Sequence, residues 1–168
     1  SNGMQFYLRR DRGENLYKLH LRTSENGQEH LLVDPESMSA GSERHYSLEG
    51  YVPSPTGDFV VYGLAQGGSE QTTYYVLDVA SGAVIGSPID NIETAYNWPQ
   101  WSGDESGFFY SRRRALPDDA PSTEEYKQTR VMFHRLDTAA ENDQVIAAYG
   151  HSASLPILET DFPSVWLS

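Results

Sequence analysis

The chain contains no cysteine. Neither a disulfide framework nor a thiolate metal site is possible, so the fold must rest on its core and its hydrogen bonds. No apolar run approaches the roughly 18 residues that a membrane-crossing helix needs, and no signal-peptide pattern opens the chain. Basic residues are scarce: 12 against 24 acidic ones, for a net charge of −12. A surface that acidic repels nucleic acid and anionic membrane, since neither phosphate array gains counterion release from it. The expectation is therefore no nucleic-acid partner and no membrane partner. The missing cysteines fit a reducing compartment and favour the cytoplasm, with the periplasm left open. No stretch sustains a helical period over a dozen residues. There is no Gly-rich phosphate loop with a lysine, and the five histidines, at 20, 30, 45, 134 and 151, form no metal-binding spacing. No metal and no cofactor are expected.

What the chain has is β-rich. Apolar residues make up 38% of its 168 positions and aromatics 12%, including eleven tyrosines; that composition suits a folded domain, which would bury roughly 70% of its unfolded surface. The central phrase is Ser54-Pro55-Thr56-Gly57-Asp58 followed by Phe59-Val60-Val61-Tyr62, a turn running into an apolar strand. It returns as Ser102-Gly103-Asp104-Glu105-Ser106 followed by Gly107-Phe108-Phe109-Tyr110, an offset of 48 residues (102 − 54). Strands are predicted at Gln5–Arg10, Leu16–Arg22, Glu29–Val33, Glu43–Val52, Phe59–Ala65, Thr72–Val79, Ala83–Ser87, Ala95–Trp101, Gly107–Arg112, Arg130–Leu136 and Gln144–Ala148, with a last one starting near Ser164. Asn26-Gly27 is a hairpin signal, and Asp34-Pro35-Glu36-Ser37 starts a loop. The run Phe59–Ala65 is apolar on both faces, as a strand covered from both sides requires. Tyr17-Lys18-Leu19, Tyr75-Val76-Leu77 and Phe133-His134-Arg135 align at a spacing of 58 (75 − 17 and 133 − 75). Repeating groups of about four antiparallel strands are the make-up of propeller blades. The fold class is all-β: an incomplete β-propeller of about three blades of four-stranded antiparallel sheets. The blade units fall at residues 5–42, 43–92 and 93–150, with the start of a next blade at 159–168. A closed ring of four to eight blades is beyond this chain, so open blade faces and edges imply self-association.

The phrases Gly50-Tyr51, Ser54-Pro55-Thr56-Gly57-Asp58, Tyr62-Gly63-Leu64, Gly68-Ser69-Glu70, Trp101-Ser102-Gly103-Asp104, Gly107-Phe108-Phe109-Tyr110-Ser111-Arg112, Tyr126-Lys127-Gln128 and Val131-Met132-Phe133-His134-Arg135-Leu136 together resemble the N-terminal propeller of the prolyl oligopeptidases. The family's Asp-Trp after Gly-Ser is replaced here by Glu70-Gln71. The resemblance implies a parent serine peptidase that cuts short proline-containing peptides. Its Ser-Asp-His triad lies on an α/β-hydrolase domain absent from this chain, and its propeller filters substrates by size. The partners implied are short peptides, the missing hydrolase domain and the remaining blades. The positions matching a substrate subsite are Tyr96 and Phe162, with ordinary blade packing or rim exposure as the alternative for both.

No catalytic residue is expected in the chain itself. Gly150-His151-Ser152-Ala153-Ser154 approaches a nucleophile elbow but lacks the second glycine and the strand-to-helix setting. The insertion 113–128 is rich in Pro, Asp and Ser, with a short helical turn over Thr123–Gln128. Its acid pairs Asp118-Asp119 and Glu124-Glu125 read as solvated, with general acid-base work as the alternative, and Arg112-Arg113-Arg114 as a solvated strand end, with pairing to these acids or to a peptide carboxylate as the alternative. A different class of function stays open: a non-enzymatic β-repeat scaffold that binds a peptide or protein partner.

Overall fold

A computed structural model describes residues 3–23, 27–39, 45–67, 71–94, 97–117 and 119–167. The chain divides into two compact units, Ser1–Ile85 and Gly86–Ser168. The Asn26-Gly27 hairpin signal and the Gly68-Ser69-Glu70 phrase fall wholly or partly outside the described residues.

The first unit opens with a three-stranded antiparallel sheet in chain order: β1 (Gln5–Arg9), β2 (Lys18–Arg22) and β3 (Glu29–Val33). Where a loop is predicted after Val33, a five-residue helix α1 (Pro35–Ser39) forms instead. Asp34 caps it, its Oδ1 accepting from the amides of Glu36 at 2.9 Å and Ser37 at 3.3 Å. Pro35 sits at the first helical position, where its missing N–H costs nothing. The signal was present in the sequence as a capping aspartate before proline. Then follow β4 (Tyr46–Pro53), β5 (Phe59–Gln66) and β6 (Thr72–Asp78), each antiparallel to the one before. Val60 to Ala65 are all buried, so β5 is covered on both faces as its apolar run requires. Leu19, Val33, Val60, Tyr62, Leu64 and Leu77 form one core, with Phe6, Leu48 and Tyr51 packed against it. Each such side chain contributes about 1.5–3 kcal/mol by leaving water. The Tyr51 hydroxyl donates to the Phe6 carbonyl at 2.8 Å, tying β4 to β1.

Strand β7 (Ala83–Ile92) contains the division between the units. The second unit continues with β8 (Gln100–Trp101), β9 (Gly107–Arg112), β10 (Arg130–Arg135) and β11 (Gln144–Ala147), again antiparallel in order. The strand expected over Ala95–Trp101 is only two residues long among those described. Residues 161–167 form no strand, contrary to the strand expected from Ser164. A strand exists by backbone pairing, and the bond this segment makes to β9 comes from the Ser111 side chain. The core of this unit is partly polar. The Tyr110 hydroxyl donates to Asp143 Oδ2 at 2.7 Å, and His134 Nδ1 lies 2.8 Å from Asp143 Oδ1. Burial first, and this bond second, raise the pKa of the Tyr110 phenol.

The repeated turn phrase is the same structure twice. The amide of Ser54 donates to the Phe59 carbonyl (2.8 Å), and that of Ser102 to the Gly107 carbonyl (2.9 Å). The hydroxyls accept in return, from the amides of Phe59 and Gly107, at 3.3 Å each. The left-handed residue is Gly57 (φ 84°) in the first copy and Glu105 (φ 55°) in the second. The first strand residue is Phe59 in one copy and Gly107 in the other. At Gly107 any Cβ would collide with the His134 carbonyl, so only glycine fits. The same bonding sets the equivalence of the next strands. Val79 donates to Asp58 and Leu136 to Ser106, so the third strands are offset by 57 (136 − 79), one less than the sequence alignment of aromatics gives. Tyr75 and Phe133 share residue type without sharing a register position.

Three outcomes follow from these contacts. Glu105→Gly should stabilise the chain by about 0.5–1 kcal/mol in denaturant unfolding, because the left-handed backbone costs an L-residue and not glycine. Arg113 donates to the wholly buried Glu93 carboxylate at 2.6 Å, so Arg113→Met should destabilise the chain by about 3–5 kcal/mol in the same measurement by leaving that charge unpaired. Asp104 accepts from the Ser102 hydroxyl and from Ser106, which lowers its pKa to about 2. A lowered folded pKa gives stability that is present above the unfolded value and lost as pH falls through the folded one. Thermal midpoints should therefore fall between about pH 4 and pH 2, and Asp104→Asn should flatten that slope.

Candidate functional site

The insertion after β9 is where the structure departs most from the solvated loop that its composition suggests. Arg113 is buried. Its Nε donates to Glu93 Oε2 at 2.6 Å and its Nη1 to Glu125 Oε1 at 2.6 Å. Burial works against the guanidinium charge, but the bond to Glu93 and the fields of Glu93 and Glu125 outweigh it, and the pKa is raised. Glu93 is 0% exposed, a cost that only a close, hydrogen-bonded cation offsets. Arg112 also turns inward at its tip, donating to the carbonyls of Asp90 and Ala140 at 3.2 Å each. Arg114 and Lys127 converge on Glu124 at 3.2 and 2.6 Å. Lys127 is the main cause of the lowered Glu124 pKa. Arg113 and Arg114 thus pair with Glu125 and Glu124, while Arg112 is held by carbonyl oxygens. A short 3-10 turn, Ser122–Glu124, begins one residue earlier than the helical turn expected from Thr123. Asp118 lies outside the described residues.

This ionic floor positions an aromatic pair. The Arg113 guanidinium carbon lies 4.8 Å from the centroid of the Tyr126 ring, a cation–π distance. The Tyr126 ring in turn lies 6.5 Å from that of Phe162, inclined by 53°. The chain around Phe162 is held without secondary structure. The Gln128 amide donates to the Glu159 carbonyl at 2.7 Å, and its side-chain Nε2 to Glu159 Oε1 at 3.0 Å. The Ser111 hydroxyl donates to the Pro163 carbonyl at 3.2 Å. Phe162 keeps 37% of its surface exposed. Of the two site residues drawn from sequence, Phe162 is therefore a tethered, half-open aromatic, and Tyr96 lies outside the described residues.

Sequence reasoning missed Glu93 and Tyr126, and held the pairing of Arg113 with the insertion's acids only as an alternative to solvation. Glu93 and Arg113 are 20 positions apart with no motif between them, and only the insertion's folding brings Glu125 and Tyr126 to the same guanidinium. The one available signal was three arginines at a strand end close to an acid-rich loop. Chemically, the arrangement offers an aromatic, apolar contact on a rigid charged base. It offers no nucleophile beside a base. The Gly150-His151-Ser152 phrase is an exposed turn: His151 donates to the Ala148 carbonyl at 3.1 Å, Gly150 has φ 69°, and the Ser152 and Ser154 hydroxyls pair at 2.9 Å. It has none of the strand-to-helix geometry of a nucleophile elbow.

Comparison with known proteins supplies the family. The model of the prolyl oligopeptidase N-terminal beta-propeller domain matches residues 1–155. The prolyl oligopeptidase ophP of Omphalotus olearius is 28% identical over 125 residues, which cover 69% of this chain and 16% of that protein. A structure from a mechanistic study of two prolyl endopeptidases is 27% identical, with a TM-score of 0.76 over 88% of this chain and 21% of the other. Prolyl oligopeptidase B of Galerina marginata, bound to a 35-residue substrate, shares the fold at 17% identity and a TM-score of 0.72, over 89% of this chain and 23% of its own. The chain thus spans about a sixth of the curated relative and under a quarter of these solved chains. The serine-closed turns, the sequential antiparallel sheets and a family match across residues 1–155 agree, and this chain belongs to the N-terminal β-propeller domain family of the prolyl oligopeptidases.

Proposed function

We propose that the chain is the substrate-admitting part of a larger serine peptidase that cleaves short proline-containing peptides. The carrying observation is the propeller-domain match across residues 1–155. In this reading the triad performs acyl transfer on another domain of the parent, and the propeller excludes folded proteins by size. The half-open Phe162, seated against Tyr126, supports a role as an apolar subsite wall. Tyr96 is assigned to the same wall from the sequence match. A proline ring or an apolar side chain is the natural occupant, since aromatic faces bind such groups by area and shape. Tyr126 acts through Phe162 and Arg113 rather than alone.

The test uses the full-length parent and this chain side by side. The 168-residue chain should leave a proline-containing chromogenic peptide intact, and cleavage by it would overturn the division of labour. In the parent, Phe162→Ala and Tyr126→Ala should each raise KM about 5–30-fold with kcat little changed, the signature of lost uniform binding. An unchanged KM in both variants would remove the subsite assignment.

A further inference from the structure

The second unit carries six basic residues against thirteen acidic ones. Arg113, Arg114 and Lys127 are paired with carboxylates and Arg112 with carbonyl oxygens. Arg135 ends β10 on the exposed surface. Arg130, at the other end of that strand, is different. It is half-buried, and among the described residues no carboxylate lies within ion-pair distance of it. Arg112 and Arg135 also lack a carboxylate, but Arg112 is taken up by carbonyl oxygens and Arg135 is exposed, which leaves Arg130 as a half-buried guanidinium beside a cavity.

Arg130 lines a cavity of about 270 Å³ with Gln128, Val145, Ala148, Tyr149 and His151. The cavity is built by local geometry. After β11 the chain reverses through the Ala148–His151 turn, with Gly150 left-handed at φ 69°. The same turn brings Tyr149 and His151 into the lining of the cavity. Gln128 is fixed in place by its bonds to Glu159. The lining thus combines a guanidinium fork, a phenol and an imidazole with a small apolar wall of Val145 and Ala148.

We propose that this cavity binds the carboxylate of a peptide, presented either by its C-terminus or by an acidic side chain. A free guanidinium meets a carboxylate through two parallel N–H bonds, the strongest geometry available to it. Tyr149 and His151 add donors to the same oxygens. One unpaired cation in an acidic setting suits a monoanion better than a phosphate dianion, and the apolar wall suits the carbon next to a carboxylate. This site is independent of the role proposed for Phe162.

The test is an NMR titration of the 168-residue chain with three acetylated dipeptides: Ala-Ala with a free C-terminus, Ala-Glu amide, and Ala-Ala amide. The two carboxylate peptides should shift the amides of Gln128, Arg130, Tyr149 and His151, saturating in the low millimolar range, and the neutral peptide should not. Stronger binding by the first assigns the C-terminal carboxylate, and by the second the acidic side chain. Arg130→Gln should weaken either about tenfold, and His151→Ala, on an exposed turn, about threefold, with unchanged thermal midpoints. Equal shifts from the neutral peptide, or undiminished binding by Arg130→Gln, would overturn the site.

Discussion

A strand buried on both faces must have its first backbone groups satisfied before it enters the core, because no water waits there to do it. The serine of each repeated turn meets that requirement. Its amide donates to the carbonyl of the strand's first residue, and its hydroxyl accepts from that residue's amide, for Ser54 with Phe59 and for Ser102 with Gly107. The strand that follows is thereby launched in a fixed register, and the next strand pairs with it through Val79 to Asp58 and Leu136 to Ser106. The cores of the two units depend on this start, since a slip of one residue would move Val60 or Phe108 to the opposite face of its strand.

The two units solve their interiors differently. The first buries an almost wholly aliphatic and tyrosine core around Leu19, Val60 and Leu77. The second places an Asp143–His134–Tyr110 network under Phe108 and a Glu93–Arg113–Glu125 network beneath the insertion. Buried charge of this kind costs desolvation energy and returns it only when every partner is present. Its effect here is geometric: one buried guanidinium fixes Tyr126, against which Phe162 rests. A loop whose composition suggests solvent exposure becomes the rigid base of the proposed peptide subsite.

Both proposed sites draw on irregular chain held by polar anchors. Phe162 is positioned through Gln128–Glu159 and Ser111–Pro163, not by a strand. Arg130 and the Ala148–His151 turn lie at the end of a strand and in the bend that follows. In both places a sheet supplies a rigid edge and a short irregular segment completes the proposed site, as loops on rigid scaffolds commonly do.

The sequence by itself determined the all-β class, the family, the turn phrase and most strand positions. These are local properties: a Pro-Thr-Gly turn, an apolar run buried on both faces, alternation along β2. It also held the capping Asp34 before Pro35, a helix start that composition alone reads as loop. Tertiary structure decided the one-residue difference in repeat offset, because register is set by hydrogen bonds and not by which residue is aromatic. It decided the missing strand after Ser164, because a strand needs backbone partners and this segment is held through a side chain. It also decided that Arg113, Glu93, Glu125 and Tyr126 form one cluster, because residues 12 to 20 positions from Arg113 carry no spacing signal until the chain brings them together.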